Sequence, residues 1–459
     1  MRRSIFSLSF CLAILLLMTS AAGIPAFAKD RDPVIIIPGI MGSELVNKEN
    51  RDEVVWFSVA RSKTDDIRLP ITFDPLASRD DLSAGDILRS IKLGLIPRID
   101  IYKGLIDSLI ANGYHEESWN SPSKEGGNAG IYAFSYDWRL DNVHNAKLLI
   151  QQIESVKRQL KEPDLKFDVI AHSMGGLIAR YSAMYGSSDV LPGNQKPVPT
   201  WAGDRHFRKI VLLGTPNEGS PLALEGFING ESFGPFAFNL PFVRNVSRFD
   251  VFTMPAIYEL LPAPGTFTLM SEDLQQVDVD LYDPKVWTEY GWDPVSDPRF
   301  VKAFPTASER KAAPAFFANM LMRAKRFHQA LNAASGVSPK VEFDLVGAEC
   351  KDTVAGAALL RSGKSGDWVT RFSVPDQKKK DGDSRETAAL RAAIYAPGDG
   401  VVSTYSLQGN GRLNSIFAST KFFCDAHNRL AANPEVQAYV LGLLNGVDAT
   451  PEKGEIPRN

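Results

Sequence analysis

A serine, an aspartate and a histidine follow one another in this sequence in an order that could turn the serine into a nucleophile. Ser173 stands in Ala171-His172-Ser173-Met174-Gly175, after the apolar, β-prone run FDVIA (167 to 171) and before an Ala/Leu/Ile pattern that reads as a helix. A serine between small residues at a strand-to-helix junction is what a nucleophile elbow requires, because strand and helix approach closely there. Alanine stands at 171 where glycine is usual, and it adds only a methyl group. The plain alternative is a serine that caps a helix. A serine hydroxyl attacks only when a base takes its proton and a third group orients that base. After an elbow of this kind the acid and then the histidine are expected further along the chain. His427, in CDAHNRLAANPEV, lies between the last predicted strand and a helix predicted over 434 to 444. For the acid, Asp399 in APGDGVV is flanked by two glycines on a predicted turn, and Asp352 is the second candidate.

Acyl transfer through such a serine also needs backbone N–H groups aimed at the developing oxyanion. Met174, the residue after the serine, supplies one by position. The second is expected from Met41 in PGIMGS (38 to 43), where Gly39 and Gly42 let the chain turn. That loop carries neither Gly-Lys-Ser/Thr nor Gly-x-Gly-x-x-Gly, and no His/Cys/Glu spacing resembles a metal site. The chemistry implied is acyl transfer with no cofactor and no metal.

These residues must be positioned by a scaffold. Apolar runs at 34 to 37, 131 to 136, 167 to 171, 209 to 213, 341 to 346 and 415 to 423 suit strands covered on both faces. Leu149, Ile153, Val156 and Leu160 recur at helical spacing, as do Ile101, Leu105, Ile106 and Leu109. Strands alternating with helices predict an α/β fold with a mostly parallel central sheet. Residues 223 to 340 are too many for a connection and read as an inserted cap or lid. Residues 351 to 390, with the run KKKDGD, read as a polar, solvated loop. The expected division is a signal peptide (1 to 28), a first core segment (29 to 222), the cap (223 to 340), a second core segment (341 to 446) and a disordered tail (447 to 459).

In the cap, Phe227, Phe233, Phe236, Phe238, Phe242 and Phe249 crowd a Gly/Pro-punctuated stretch. Phe236 and Phe238 are candidates for a lid over apolar substrate, against the alternative of a compact cap core. Trp56 is a second candidate for contact with an apolar boundary, with a buried core tryptophan as the alternative.

Composition narrows the partners. A chain of 459 residues with 44% hydrophobic and 23% charged residues and a net charge of −3 is an ordinary globular protein, without the basic excess that would suggest nucleic acid. Arg2 and Arg3, the apolar run after them and Ala26-Phe27-Ala28 read as a cleavable secretory signal, with a retained membrane anchor as the alternative, so the mature protein is expected in the periplasm or outside the cell. Removal of the signal takes Cys11 with it. Cys350 and Cys424 remain, an even pair in an oxidising compartment, either bridged or present as two buried thiols.

Taken together and in order, PVIIIPGIMGSEL, YAFSYDWRL, AHSMGGLIARY, LGTPNEGSP, MPAIYELLP, APGDGVV and the late His427 resemble the lecithin:cholesterol acyltransferase family, which includes lysosomal phospholipases A. The resemblance implies an α/β-hydrolase core with a cap and a membrane-touching subdomain. It implies Ser173, Asp399 and His427 as a catalytic triad and Met41 with Met174 as oxyanion donors. Cys350 and Cys424 look similar to a family disulfide, although their spacing differs from it. The expected activity is hydrolysis or transfer of acyl groups from lipid esters of the phospholipid type, with peripheral contact to a lipid interface. A carboxylesterase for non-lipid esters and an inactive lipid-binding protein on the same fold are the two rival readings.

Overall fold

The computed structural model describes residues 31–49, 53–57, 66–92, 98–193, 195–230, 246–363, 366–374, 385–413 and 415–446. The expected signal segment (1 to 28), Phe233, Phe236, Phe238, Phe242, the KKKDGD run and the tail from 447 lie outside the described residues. The described residues from Asp32 onward form one compact unit.

Seven strands make the central sheet: β1 (Val34–Ile37), β2 (His115–Glu116), β3 (Gly130–Ala133), β4 (Phe167–His172), β5 (Phe207–Leu213), β6 (Glu342–Ala348) and β7 (Phe417–Phe423). Their order across the sheet is β7-β6-β5-β4-β1-β3-β2, and every pair is parallel. Residues alternate between faces along a strand, and both faces here are apolar. Ile35, Ile37, Val169, Ala171, Ile210 and Leu212 enter one core cluster, whereas Val34, Ile36, Ile170, Val211 and Leu213 enter the other. That is why these strands read as unbroken apolar runs.

Helices α1 (Lys103–Ala111), α2 (Asn142–Leu160), α3 (Met174–Tyr185), α4 (Pro221–Asn229), α5 (Ala307–Leu331) and α6 (Pro434–Leu444) cover the sheet and build the inserted region. Leu105, Ile106 and Leu109 of α1 join Val436, Val440 and Leu443 of α6 over one face. Leu149, Ile153 and Val156 of α2 join the whole of the buried α3 over the other. The parallel order, with the serine-bearing strand beside β1, is the α/β-hydrolase core.

The inserted region continues the apolar cluster that covers one face of the sheet. Phe227 of α4 stacks edgewise on Tyr258 at 4.6 Å and on Trp287 at 5.2 Å, and Trp287 meets Phe317 of α5 at 5.2 Å. Phe249 lies against Phe300 and Phe304. The two described phenylalanines of the aromatic stretch, Phe227 and Phe249, therefore pack into or against this shared apolar cluster. His328 is buried on α5, because this helix is covered by apolar neighbours on more than one side.

The segment read as a solvated loop is largely ordered. Strand Lys351–Val354 pairs antiparallel with Tyr395–Gly398, and strand Gly356–Arg361 pairs with both Thr268–Ser271 and Trp368–Arg371. A four-stranded sheet thus joins two insertions that are far apart in sequence. Its polar composition arises because Trp368–Arg371 is an edge strand whose residues alternate between partly buried and exposed. Cys350 and Cys424 are bonded, with Cα atoms 5.4 Å apart, which ties the end of β6 to the end of β7.

Candidate active site

Functional side chains in an open parallel sheet gather beyond the carboxyl ends of the strands, and they do so here. Ser173 follows β4 directly, with φ 55° and ψ −127°, a conformation that L residues rarely adopt. Its N–H is held by the carbonyl of Leu213 at 2.8 Å. A methyl group on Gly175 would lie 2.5 Å from the carbonyl oxygen of Pro38 and 2.7 Å from that of Ile37, so the helix can approach β1 only with glycine there. The side chain of Ser173 makes no capping bond to α3. It meets His427 instead, with Oγ 2.9 Å from Nε2.

His427 begins a short turn of helix after β7. Its Nδ1 lies 2.7 Å from Oδ2 of Asp399, and its backbone N–H donates to the carbonyl of Asp399 at 2.9 Å. The other carboxylate oxygen of Asp399 accepts from the N–H groups of Val401 at 2.9 Å and Val402 at 2.7 Å. All four lone-pair directions of a carboxylate want partners when it is buried, and the turn after Gly398 provides two of them from its own backbone. Ser173, His427 and Asp399 are all buried. Asp352, the second candidate for the acid, is exposed on strand Lys351–Val354 and bonds to neither.

The glycine-rich loop is a tight turn closed by Gly42 N–H to the carbonyl of Gly39 at 3.0 Å, with Met41 at φ 60°. Four aromatic residues hold it. Tyr136 donates to the carbonyl of Pro38 at 2.8 Å, Trp138 to that of Ser43 at 3.2 Å and Trp56 to that of Met41 at 3.0 Å. Tyr102 Oη accepts from Gly39 N–H at 2.9 Å. Trp56 is thus a core residue with a specific task, and the YDWR run has one too: Arg139 is fully buried and anchors it by bonds to Asp80 and Asp137. Among the described residues neither the Ile40 nor the Met41 amide is spent in a hydrogen bond. Ile40 lies on the cavity wall, so the turn offers two candidate donors where the sequence pointed to Met41. Met174 opens α3, where the first amides have no intrahelical partner.

An apolar cavity opens over Ser173 and His427. Ile40, Ile101, Leu222, Leu260, Val401 and Val402 make its walls apolar. Two residues near its floor had no signal in the local sequence. Gly214, at φ 58°, could not carry a side chain without placing it 3.1 Å from His427 Nδ1 and 3.2 Å from Asp399 Oδ2. Tyr102 bonds to Nδ1 of His172 at 2.9 Å. The motif LGTPNEGSP carries part of the family resemblance, but it gives no reason for its glycine. Among the described residues no group of three or more His, Cys, Asp or Glu is arranged to hold a metal ion, and no helix is long and apolar enough to cross a membrane.

Comparison with known proteins adds a family. Residues 73–297 match the model of the lecithin:cholesterol acyltransferase family. A Saccharomyces cerevisiae protein described as uncharacterized is 25% identical over 269 residues, which cover 57% of this chain and 34% of that protein. The lecithin-cholesterol acyltransferase-like 4 protein of Arabidopsis thaliana is 26% identical over 267 residues, covering 51% of this chain and 43% of its own length. The matches thus span well under half of each curated relative. Among solved structures, the Tle4–Tli4 complex aligns over 92% of this chain and 99% of the solved chain, with 14% identity and a TM-score of 0.49. The family match includes Ser173 and the YDWR run, whereas Asp399 and His427 lie beyond it and rest on geometry.

Proposed function

From a chain that resembles the lecithin:cholesterol acyltransferase family over residues 73–297 and has an α/β-hydrolase core, we propose a serine acyl hydrolase or O-acyltransferase acting on lipid esters through a covalent acyl-Ser173 intermediate. The observation that carries this reading is the unbroken line from Asp399 through His427 to Ser173, at 2.7 and 2.9 Å, on the floor of an apolar cavity. In the reaction His427 Nε2 takes the hydroxyl proton as Ser173 Oγ forms a bond to the ester carbonyl carbon. The tetrahedral oxyanion is met by Met174 N–H and by an amide of the 39–42 turn. Collapse breaks the bond to the alkoxy oxygen, and the imidazolium returns its proton to that leaving group. Water or an alcohol, deprotonated by the same histidine, then takes the acyl group and frees the serine. Asp399 stabilises the imidazolium and holds its tautomer.

The lipid character of the substrate is supported by the family match and by apolar cavity walls with few polar groups. Phe236 and Phe238 complete the proposal as a lid over the acyl chain, and the enzyme works at the edge of a lipid surface. Export through the leader belongs to the same reading, and a Cys350–Cys424 bond suits an oxidising compartment. The test is incubation with phospholipid labelled in its acyl chain, with and without a long-chain alcohol, followed by identification of the products. Free fatty acid and acylated alcohol, both absent with Ser173→Ala, are expected. Turnover of short soluble esters with none of phospholipid would favour a carboxylesterase, and no turnover of any ester would leave a binding protein.

A further inference from the structure

Beside the line of Ser173, His427 and Asp399 runs a second chain of hydrogen bonds that the reaction does not use. Gly39 N–H meets Tyr102 Oη at 2.9 Å, Tyr102 Oη meets His172 Nδ1 at 2.9 Å, and His172 Nε2 meets the carbonyl of His427 at 3.1 Å. Both ends of the chain define its protons. The Gly39 amide can only donate, so Tyr102 Oη accepts there and has its own proton to give. The His427 carbonyl can only accept, so His172 must carry its proton on Nε2. A neutral His172 protonated on Nε2 has a bare Nδ1, which is the acceptor that the tyrosine proton requires. No other arrangement of a neutral ring satisfies every bond. Tyr102 and His172 are both buried, and burial with the neighbouring His427 pushes the His172 imidazole down to about 3, so it stays neutral at any working pH.

We propose that Tyr102 and His172 are a positioning pair that locks the backbone of His427 and the 39–42 turn to one another across the floor of the cavity. His427 is then held at three points: its N–H by Asp399, its ring by the carboxylate and its carbonyl by His172. The turn that offers the oxyanion donors is held at Gly39, whose α-carbon is so close to the serine that a methyl group there would sit 2.9 Å from Ser173 Cβ. Base and oxyanion donors arise from opposite ends of the chain, and misplacement by a fraction of an ångström is costly in a transition state. The pair couples the two. It also gives a reason for a histidine at the variable position of the elbow: a side chain there must reach the loop after β7 with a donor and the start of α1 with an acceptor.

The proposal rests on the acyl-transfer reading, and one experiment separates the two. Full-length protein is reacted with a fluorophosphonate, and the limiting rate kinact and the half-saturating concentration KI are measured at a temperature well below melting. Labelling of the wild type and none of Ser173→Ala are the controls; if either fails, the acyl-transfer reading falls and takes this proposal with it. With the controls sound, Tyr102→Phe and His172→Phe are each expected to lower kinact about tenfold or more, with KI within about twofold, since a lost buried hydrogen bond here misplaces the base rather than the binding surface. His172→Gln, whose Nε2–H reaches toward the same carbonyl, is expected within about threefold of wild type. A role in packing alone predicts otherwise: Tyr102→Phe, which keeps the ring, would label at the wild-type rate, or His172→Gln would be as slow as His172→Phe. Either result overturns the proposal. Should His172→Phe not fold, Tyr102→Phe against wild type decides the matter.

Discussion

Replacing Asp399 by asparagine removes a charge but scarcely changes a shape, and the structure says how the new amide must turn. One side of the group faces two fixed donors, the N–H groups of Val401 at 2.9 Å and Val402 at 2.7 Å. The other side faces one ring nitrogen, His427 Nδ1, at 2.7 Å. An asparagine satisfies the two backbone donors with its oxygen and therefore presents its NH₂ to His427. Nδ1 must then accept, the imidazole proton moves to Nε2, and the nitrogen beside Ser173 Oγ has no lone pair to take the hydroxyl proton. Because this is the wrong-tautomer case, the loss in kcat is expected to be about 10³- to 10⁴-fold, or about 4 to 5.5 kcal/mol at 1.36 kcal/mol per tenfold. The melting temperature should stay within a few degrees, since the backbone bonds of the turn survive. The assay is the steady-state rate on a soluble ester, with Asp352→Asn as the control at an exposed position and expected within about twofold of wild type. Near-normal turnover by Asp399→Asn, or inactivity of Asp352→Asn, would refute the reasoning.

Other consequences are open to equally direct measurement. Gly214→Ala forces a side chain toward His427 and Asp399 from a backbone at φ 58°, and should cost about 1 to 2 kcal/mol of stability together with at least a tenfold loss in kcat; retention of full activity would mean that the floor of the site is more yielding than its contacts suggest. Changing both Cys350 and Cys424 to alanine frees a loop of sequence separation 74, for which chain entropy predicts about 4 kcal/mol of lost stability, read by denaturant unfolding with and without reductant. His328 is held near 4 by burial against an ordinary 6.5, so the folded protein refuses a proton that the unfolded chain accepts. Stability contributed above pH 6.5 is therefore lost as pH falls toward 4, and His328→Leu should flatten that decline by about 1.4 kcal/mol per pH unit relative to wild type; parallel curves would contradict it.

How far the sequence spoke depended on whether a requirement was local. The elbow was legible because its geometry demands small residues within five positions, and the strands because burial on both faces leaves no polar interruption. Asp399 stood out through its flanking glycines, which serve the turn that feeds Val401 and Val402 amides to its carboxylate. Tyr102 carried no such mark: it sits at the start of an amphipathic helix, and its partners Gly39 and His172 lie far away along the chain in both directions. Gly214 is needed only because His427 and Asp399 arrive beside it from the other half of the protein. The strands between 351 and 371 were hidden for a related reason. Gly356–Arg361 and Trp368–Arg371 pair with each other but complete a sheet whose other strands come from residues 268 to 277, and the exposed edge of that sheet looks like a loop.

The central claim is a covalent acyl group on Ser173, and rapid quenching in acid during turnover of a long-chain nitrophenyl ester, followed by intact-protein and peptide mass spectrometry, tests it most directly. The account predicts one added acyl mass on the peptide that contains Ser173, formed within a single turnover, lost on longer incubation and absent in Ser173→Ala. Turnover with no acyl adduct during the burst, or an adduct on a different residue that persists in Ser173→Ala, would contradict it.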